Sequence, residues 1–167
     1  MLNCDCSTAC DLQQRTGKKL LCPDCGRKGK NVGRHTIAQM LKTSLVAEIS
    51  EDNYYFCVTP DCETVYFAFS PRKTFRKPDL KVRVGIKETD DPIPICYCFG
   101  HTRASVWQEI EQTGTSTVLE SIKREVKAGR CRCEAMNPSG KCCLGEVTRV
   151  VQALHRLGDA NVWLPVT

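Results

Sequence analysis

Long apolar runs are missing from this 167-residue chain. No stretch approaches the roughly 18 consecutive apolar residues of a membrane span, so a transmembrane helix is excluded. Aromatics are scarce at 7%, although hydrophobic residues make up 41%. A thin supply of large side chains argues for two small lobes, each of which needs a metal or covalent staple to hold its core together. The opening MLNCDCSTAC has no basic start followed by an apolar run of about 7 to 15 residues, and does not read as a secretory signal. No serine-histidine-acid or paired-carboxylate arrangement stands out, so nothing points to hydrolytic catalysis.

Cysteine is what the chain has in abundance. Thirteen cysteines amount to about 8% of the residues, a density typical of disulfide scaffolds and of metal-thiolate proteins. An odd number cannot close entirely into intrachain pairs, and with no secretory signal the expectation is a reduced, thiolate-rich cytoplasmic protein.

The formal charge of +5 is unevenly placed. Residues 71–87, PRKTFRKPDLKVRVGIK, carry seven Lys or Arg against the single acid Asp79. A solvated face, or a dock for an acidic protein, fits this run better than a nucleic-acid surface, because neither stacking aromatics nor a recognition motif accompanies it.

Residues 1–19 are polar and lack an apolar period, and read as a flexible tail carrying Cys4, Cys6 and Cys10. Residues 20–92 read as a β-rich lobe with one helix. In KLLCPDCGRKGK a short apolar lead enters a Cys-Pro-Asp-Cys-Gly turn, with Gly26 able to take a left-handed conformation. Ile37, Met40, Leu41, Leu45 and Ile49 recur at helical spacing, which predicts an amphipathic helix over 36–49. NYYFCVTPDCETVYFAF reads as two β arms around a cysteine turn. Val82, Val84 and Ile86 alternate with charges and predict a strand over 81–86. The acidic, proline-bearing segment 88–94 separates this lobe from a helical one over 93–158, leaving a C-terminal tail at 159–167. Three helices are expected there, carried by Val106 and Ile110, by Val118, Ile122 and Val126, and by Val147, Val150, Val151 and Leu154. Thr102 suits a helix N-cap, Gly114 and Gly129 suit helix ends, and Asn137-Pro-Ser-Gly140 suits a type I turn. The expected class is α+β.

Cys22-x2-Cys25 and Cys57-x4-Cys62 are two close pairs on turns separated by a structured insert, as a tetrahedral four-thiolate zinc site requires. A rubredoxin-like iron would accept the same four ligands. His35 lies in the insert and reads as an exposed residue. The second lobe carries Cys96-x-Cys98, Cys131-x-Cys133 and Cys142-Cys143. Cysteines one residue apart in an extended turn can face one iron, and a distant pair can close the second iron of a 2Fe-2S cluster. There are more candidates than places. His101, just after the first of these pairs, reads as structural.

ICYCFG and AGRCRCEAMNPSGKCCLGEV, together with CPDCGRKGK and YFCVTPDCETVYF, resemble the N-terminal region of CopZ-type copper chaperones and, in the helical lobe, bacterioferritin-associated ferredoxin. The likeness spans roughly residues 20 to 155. It implies zinc at Cys22, Cys25, Cys57 and Cys62, and a 2Fe-2S cluster at Cys96, Cys98, Cys133 and Cys143, with Cys131 and Cys142 as rivals for the last two places. CopZ-type chaperones also carry a Met-x-Cys-x-x-Cys copper loop in a ferredoxin-like domain, which the likeness does not include. The expected role is an electron relay in metal handling, serving a protein redox or metal-transfer partner, with the tail cysteines open to a soft ion such as Cu(I). The alternatives are a ferredoxin-like subunit of a larger oxidoreductase and a zinc-ribbon nucleic-acid module.

Overall fold

The computed structural model describes residues 21–69 and 72–161. Cys4, Cys6 and Cys10 lie outside them. The first core is built on a four-stranded antiparallel meander, β1 (Lys30–Val32), β2 (Tyr54–Phe56), β3 (Thr64–Phe69) and β4 (Arg72–Arg76), in that spatial order. β3 is the covered centre: every residue from Thr64 to Ala68 is buried. Tyr66 and Ala68 pack with Ile37 and Met40 of helix α1 (Arg34–Met40). Phe67 turns instead toward Cys22, Cys57 and Cys62. Adjacent strand residues point to opposite faces, so one β-rich strand serves two clusters.

Three local readings change. The helix expected over 36–49 stops at Met40. Leu41 is extended and bridges Leu80, and a 3-10 helix follows at Thr43–Glu48. The apolar spacing continues, but the loop after β4 claims the backbone: Lys42 N–H donates to Asp79 O at 2.9 Å, and Lys81 N–H donates to Met40 O at 2.8 Å. Residues 81–86 form no strand. Val84 is buried as the alternation required, but Gly85–Lys87 is a 3-10 turn, and Gly85 N–H and Arg83 O both bond the Tyr97 hydroxyl, at 2.8 and 3.1 Å. Alternating burial thus appears without a pairing partner. β1 and β4 were not anticipated, because each is short and β4, RKTFR, buries only Phe75.

The second core opens with a hairpin of β5 (Pro94–Cys96) and β6 (His101–Thr102). Helices α2 (Arg103–Thr113), α3 (Val118–Lys127), the single turn α4 (Cys133–Met136) and α5 (Leu144–Asn161) follow. Val106, Ile110, Val118, Ile122, Val147, Val151 and Leu154 interdigitate between α2, α3 and α5. Thr102 caps α2: its hydroxyl accepts from Ser105 N–H at 3.1 Å. Gly114 ends the helix at φ 78°. α5 runs three residues past the boundary expected at 158. The fold is α+β, with sheet and helices in consecutive parts of the chain.

The two parts are joined firmly. Tyr66 of β3 donates from its buried hydroxyl to Pro138 O at 2.7 Å. α1 packs on α4, and a Cβ on Gly140 would stand 3.0 Å from the Thr36 hydroxyl. Gly85 lies so close to the β5 backbone that a Cβ there would be 2.0 Å from Pro94 O.

Candidate metal centres

The first site starts from two tight turns. At Cys22–Gly26 the Gly26 N–H donates to Cys22 O at 2.8 Å, and Gly26 takes φ 68°, which an L side chain resists. The second turn links β2 to β3 and places Cys57 and Cys62 on the same side of the sheet. All four sulfurs lie within 4.8 Å of one another, with Cys22 to Cys62 at 3.8 Å and Cys25 to Cys57 at 3.7 Å. A tetrahedron with metal–sulfur bonds of about 2.3 Å has sulfur–sulfur edges of about 3.8 Å, so the four thiols already have the dimensions of a four-coordinate zinc site.

Neighbouring donors divide the four thiols. Burial opposes ionisation of Cys25, but the Thr59 hydroxyl at 3.2 Å and the Arg27 backbone N–H outweigh it and bring the thiol down to about 6. Burial, with Cys57 nearby, pushes Cys62 up to about 12. The cluster therefore binds metal by expelling protons. Around it, Asp24 accepts from the Thr64 hydroxyl at 2.6 Å and from Arg76 at 3.2 Å, fastening the first turn to β3 and β4.

Lys87 completes this surround. The residue is 4% exposed, and its ammonium donates to Thr59 O at 2.7 Å and Cys62 O at 2.9 Å, pinning the second cysteine turn from the segment that leads to β5.

The second site gathers five thiols. Cys96 and Cys143 are 3.3 Å apart and both buried. Cys98 lies 3.7 Å from Cys133 and 3.9 Å from Cys131, and Cys131 is 3.1 Å from Cys133. The adjacent Cys96 and Cys98 thus face different partners rather than sharing one. The turn at 137–140 makes this possible: Gly140 N–H closes on Asn137 O at 2.8 Å, and the Asn137 carboxamide accepts from Ser139 N–H, folding Cys143 back to Cys133. The Cys143 backbone N–H bonds the Cys133 sulfur, and Arg132 N–H donates to the Cys98 sulfur at 3.4 Å. The bond to Cys143 holds the Cys96 thiol down to about 6 and raises Cys143. An all-thiol donor set with backbone N–H groups aimed at the sulfurs suits an iron–sulfur cluster. Cys142 is exposed and lines a cleft of about 590 Å³ between the two parts of the molecule.

A zinc-binding-domain family model of the CopZ type matches residues 19–81. Copper chaperone CopZ of Archaeoglobus fulgidus is 36% identical over 130 residues, covering 77% of this chain and 60% of that protein. The X-ray structure of the Archaeoglobus fulgidus CopZ N-terminal domain superposes with a TM-score of 0.66 at 35% identity, over 78% of this chain and 96% of that one. The chain belongs to the CopZ N-terminal family. It carries that family's zinc-binding domain, and it spans 60% of the length of the full CopZ relative.

Against this CopZ-type frame, the basic run is largely neutralised. Lys73 pairs with Glu48, Arg76 with Asp24, Lys77 with Glu63 and Arg83 with Glu88, while Lys87 is buried. His35 is exposed on α1, and His101 is half-buried in β6. Sequence reasoning missed Lys87, hidden in a run of surface charges, and Thr59, which lies between two ligand candidates and was legible from that position alone. Among the described residues, no helix is long and apolar enough to cross a membrane.

Proposed function

We propose that Cys22, Cys25, Cys57 and Cys62 hold a structural zinc ion, and that Cys96, Cys98, Cys133 and Cys143 hold a 2Fe-2S cluster serving as a one-electron relay in metal handling. The observation that carries this reading is the second convergence of thiols, in which Cys96 meets Cys143 and Cys98 meets Cys133, apart from the first quartet. When bound, the cluster supplies one-electron redox chemistry, tuned by hydrogen bonds to its sulfurs and by exposure. The chain contributes the Arg132 and Cys143 N–H groups to Cys98 and Cys133, and buries the Cys96 side while Cys98 stays half-exposed.

A depression lined by Cys98, Phe99, Arg130, Arg132 and Met136 opens on that half-exposed thiol, and offers a redox or metal-transfer partner an approach to it. The likeness to a copper chaperone supports Cu(I) as the metal handled. Residues 20–92 and 93–158 act as the zinc and cluster lobes, in the reducing cytoplasm that free thiolates require. A ferredoxin-like subunit of a larger oxidoreductase is the second reading, favoured by the same depression. Residues 71–87 are a weaker candidate for its dock, since four of their seven basic side chains pair with acids.

Anaerobically purified protein should contain about two irons, two sulfides and one zinc per chain, with a paramagnetic signal on one-electron reduction. Colourless protein holding zinc alone would overturn the relay and return a zinc-ribbon module to first place.

A further inference from the structure

We propose that Cys131 is a reserve ligand for the cluster, poised to replace Cys133 on the same metal ion. This rests on the 2Fe-2S reading above. Four terminal thiolates complete such a cluster, and five thiols converge here. Cys142 is not the fifth: it is exposed on the interlobe cleft.

The sulfurs of Cys98, Cys131 and Cys133 form a triangle with sides of 3.9, 3.7 and 3.1 Å. A point equidistant from the three lies about 2.1 Å from each, inside a metal–thiolate bond of about 2.3 Å. An ion bound by Cys98 and Cys133 is therefore within bonding reach of Cys131 without movement of the backbone.

Position decides which thiol is resident. Cys133 is buried, opens α4 and receives the Cys143 N–H, whereas Cys131 is half-buried. The exchange balances simply. With a cluster bound, one iron–sulfur bond to Cys133 would break and one to Cys131 would form, while the Cys131 thiol proton would pass across the 3.1 Å gap to the released Cys133 sulfur. No electron moves, and the site keeps its net charge. Among the described residues, Cys96 and Cys143 have no such understudy, so there the replaceable ligand belongs to the half of the site nearer the surface.

Iron and zinc content, electron paramagnetic resonance and cluster loss to a chelator should be compared in the wild type, Cys131→Ala, Cys133→Ala, the double variant and Cys143→Ala. Cys133→Ala should retain at least about half the wild-type iron with a shifted signal, and the double variant and Cys143→Ala less than about a tenth. Cys131→Ala should keep its cluster but lose it to chelator several-fold faster than wild type, since it has no fallback. That comparison holds whether or not Cys133→Ala folds, and equal rates would overturn the reserve role. So would Cys133→Ala that keeps its zinc but holds no more iron than the double variant. Wild-type protein without iron is a different result: it removes the cluster reading itself.

Discussion

A buried lysine beside four thiols sets the chemistry of the first site at the scale of single residues. Among the described residues, no carboxylate pairs with the Lys87 ammonium, and its contacts are two carbonyls of the second cysteine turn. An ammonium buried in this way is costly unless negative charge stands near it, and a tetrathiolate zinc site carries a formal charge of about −2. Lys87→Met preserves the length and apolar bulk of the side chain, but leaves the two carbonyls without their donor. We expect zinc affinity to fall by about 10- to 100-fold and the folded state to lose about 1–3 kcal/mol, measured by chelator competition and urea unfolding. Lys87→Arg should not restore it, because a planar guanidinium does not fit a socket built for a compact ammonium. The four cysteines of this site were legible in the sequence because their spacing is itself the signal. Lys87 was not: in one dimension it is the last of seven basic residues, and only the fold turns it inward. The choice between Cys131 and Cys133 was also open in the sequence; Cys133 is buried and Cys131 half-buried, which supports Cys133 as the proposed resident ligand.

At the scale of elements, the helical half follows its sequence more closely than the β half. The caps and ends at Thr102, Gly114 and Gly129 are local, set by side-chain hydrogen bonds and backbone freedom within a few residues. The end of α1 and the loss of a strand over 81–86 come from distant segments that compete for the same N–H and C=O groups, which periodicity cannot register. One capping arrangement also crosses between elements. The side chain of Thr117 does not cap α3; instead the carboxylate of Glu109 on α2 accepts from Thr117 N–H at 3.0 Å, the Thr117 hydroxyl at 2.7 Å and the Ser116 hydroxyl at 2.8 Å. The Thr117 bonds hold its carboxyl below the ordinary value of 4.5. A lowered folded value means that the stabilisation is complete above that ordinary value and disappears as pH falls through the lowered one. Glu109→Gln should cost about 1 kcal/mol at neutral pH and remove this acid sensitivity, read as a flatter dependence of thermal midpoint on pH as pH falls below the ordinary carboxyl value.

Across the whole molecule the two thiol clusters share structural supports. Tyr66 belongs to the central strand of the first part, yet its hydroxyl holds the carbonyl of Pro138, within the turn that brings Cys143 back to Cys133. Burial lifts the Tyr66 phenol far above its ordinary value, so it remains a donor at any working pH. Tyr66→Phe leaves Pro138 O buried without that partner, at a cost of about 1–3 kcal/mol. Its effect should fall on the second site: iron is expected to leave several-fold faster in the presence of chelator while zinc content is unchanged. Equal loss of both metals would indicate general destabilisation instead.

The nested pairing of cysteines also fixes the order in which partners are synthesised. The first quartet is complete once Cys62 has been synthesised, before any cysteine of the second set exists. Cys96 must wait for Cys143, 47 residues later, and Cys98 for Cys133, 35 residues later. A nascent chain therefore carries its first four thiols while Cys133 and Cys143 do not yet exist, and Cys96 and Cys98 follow a segment whose own thiols are already made. Vectorial synthesis thus separates the two sets of thiols in time.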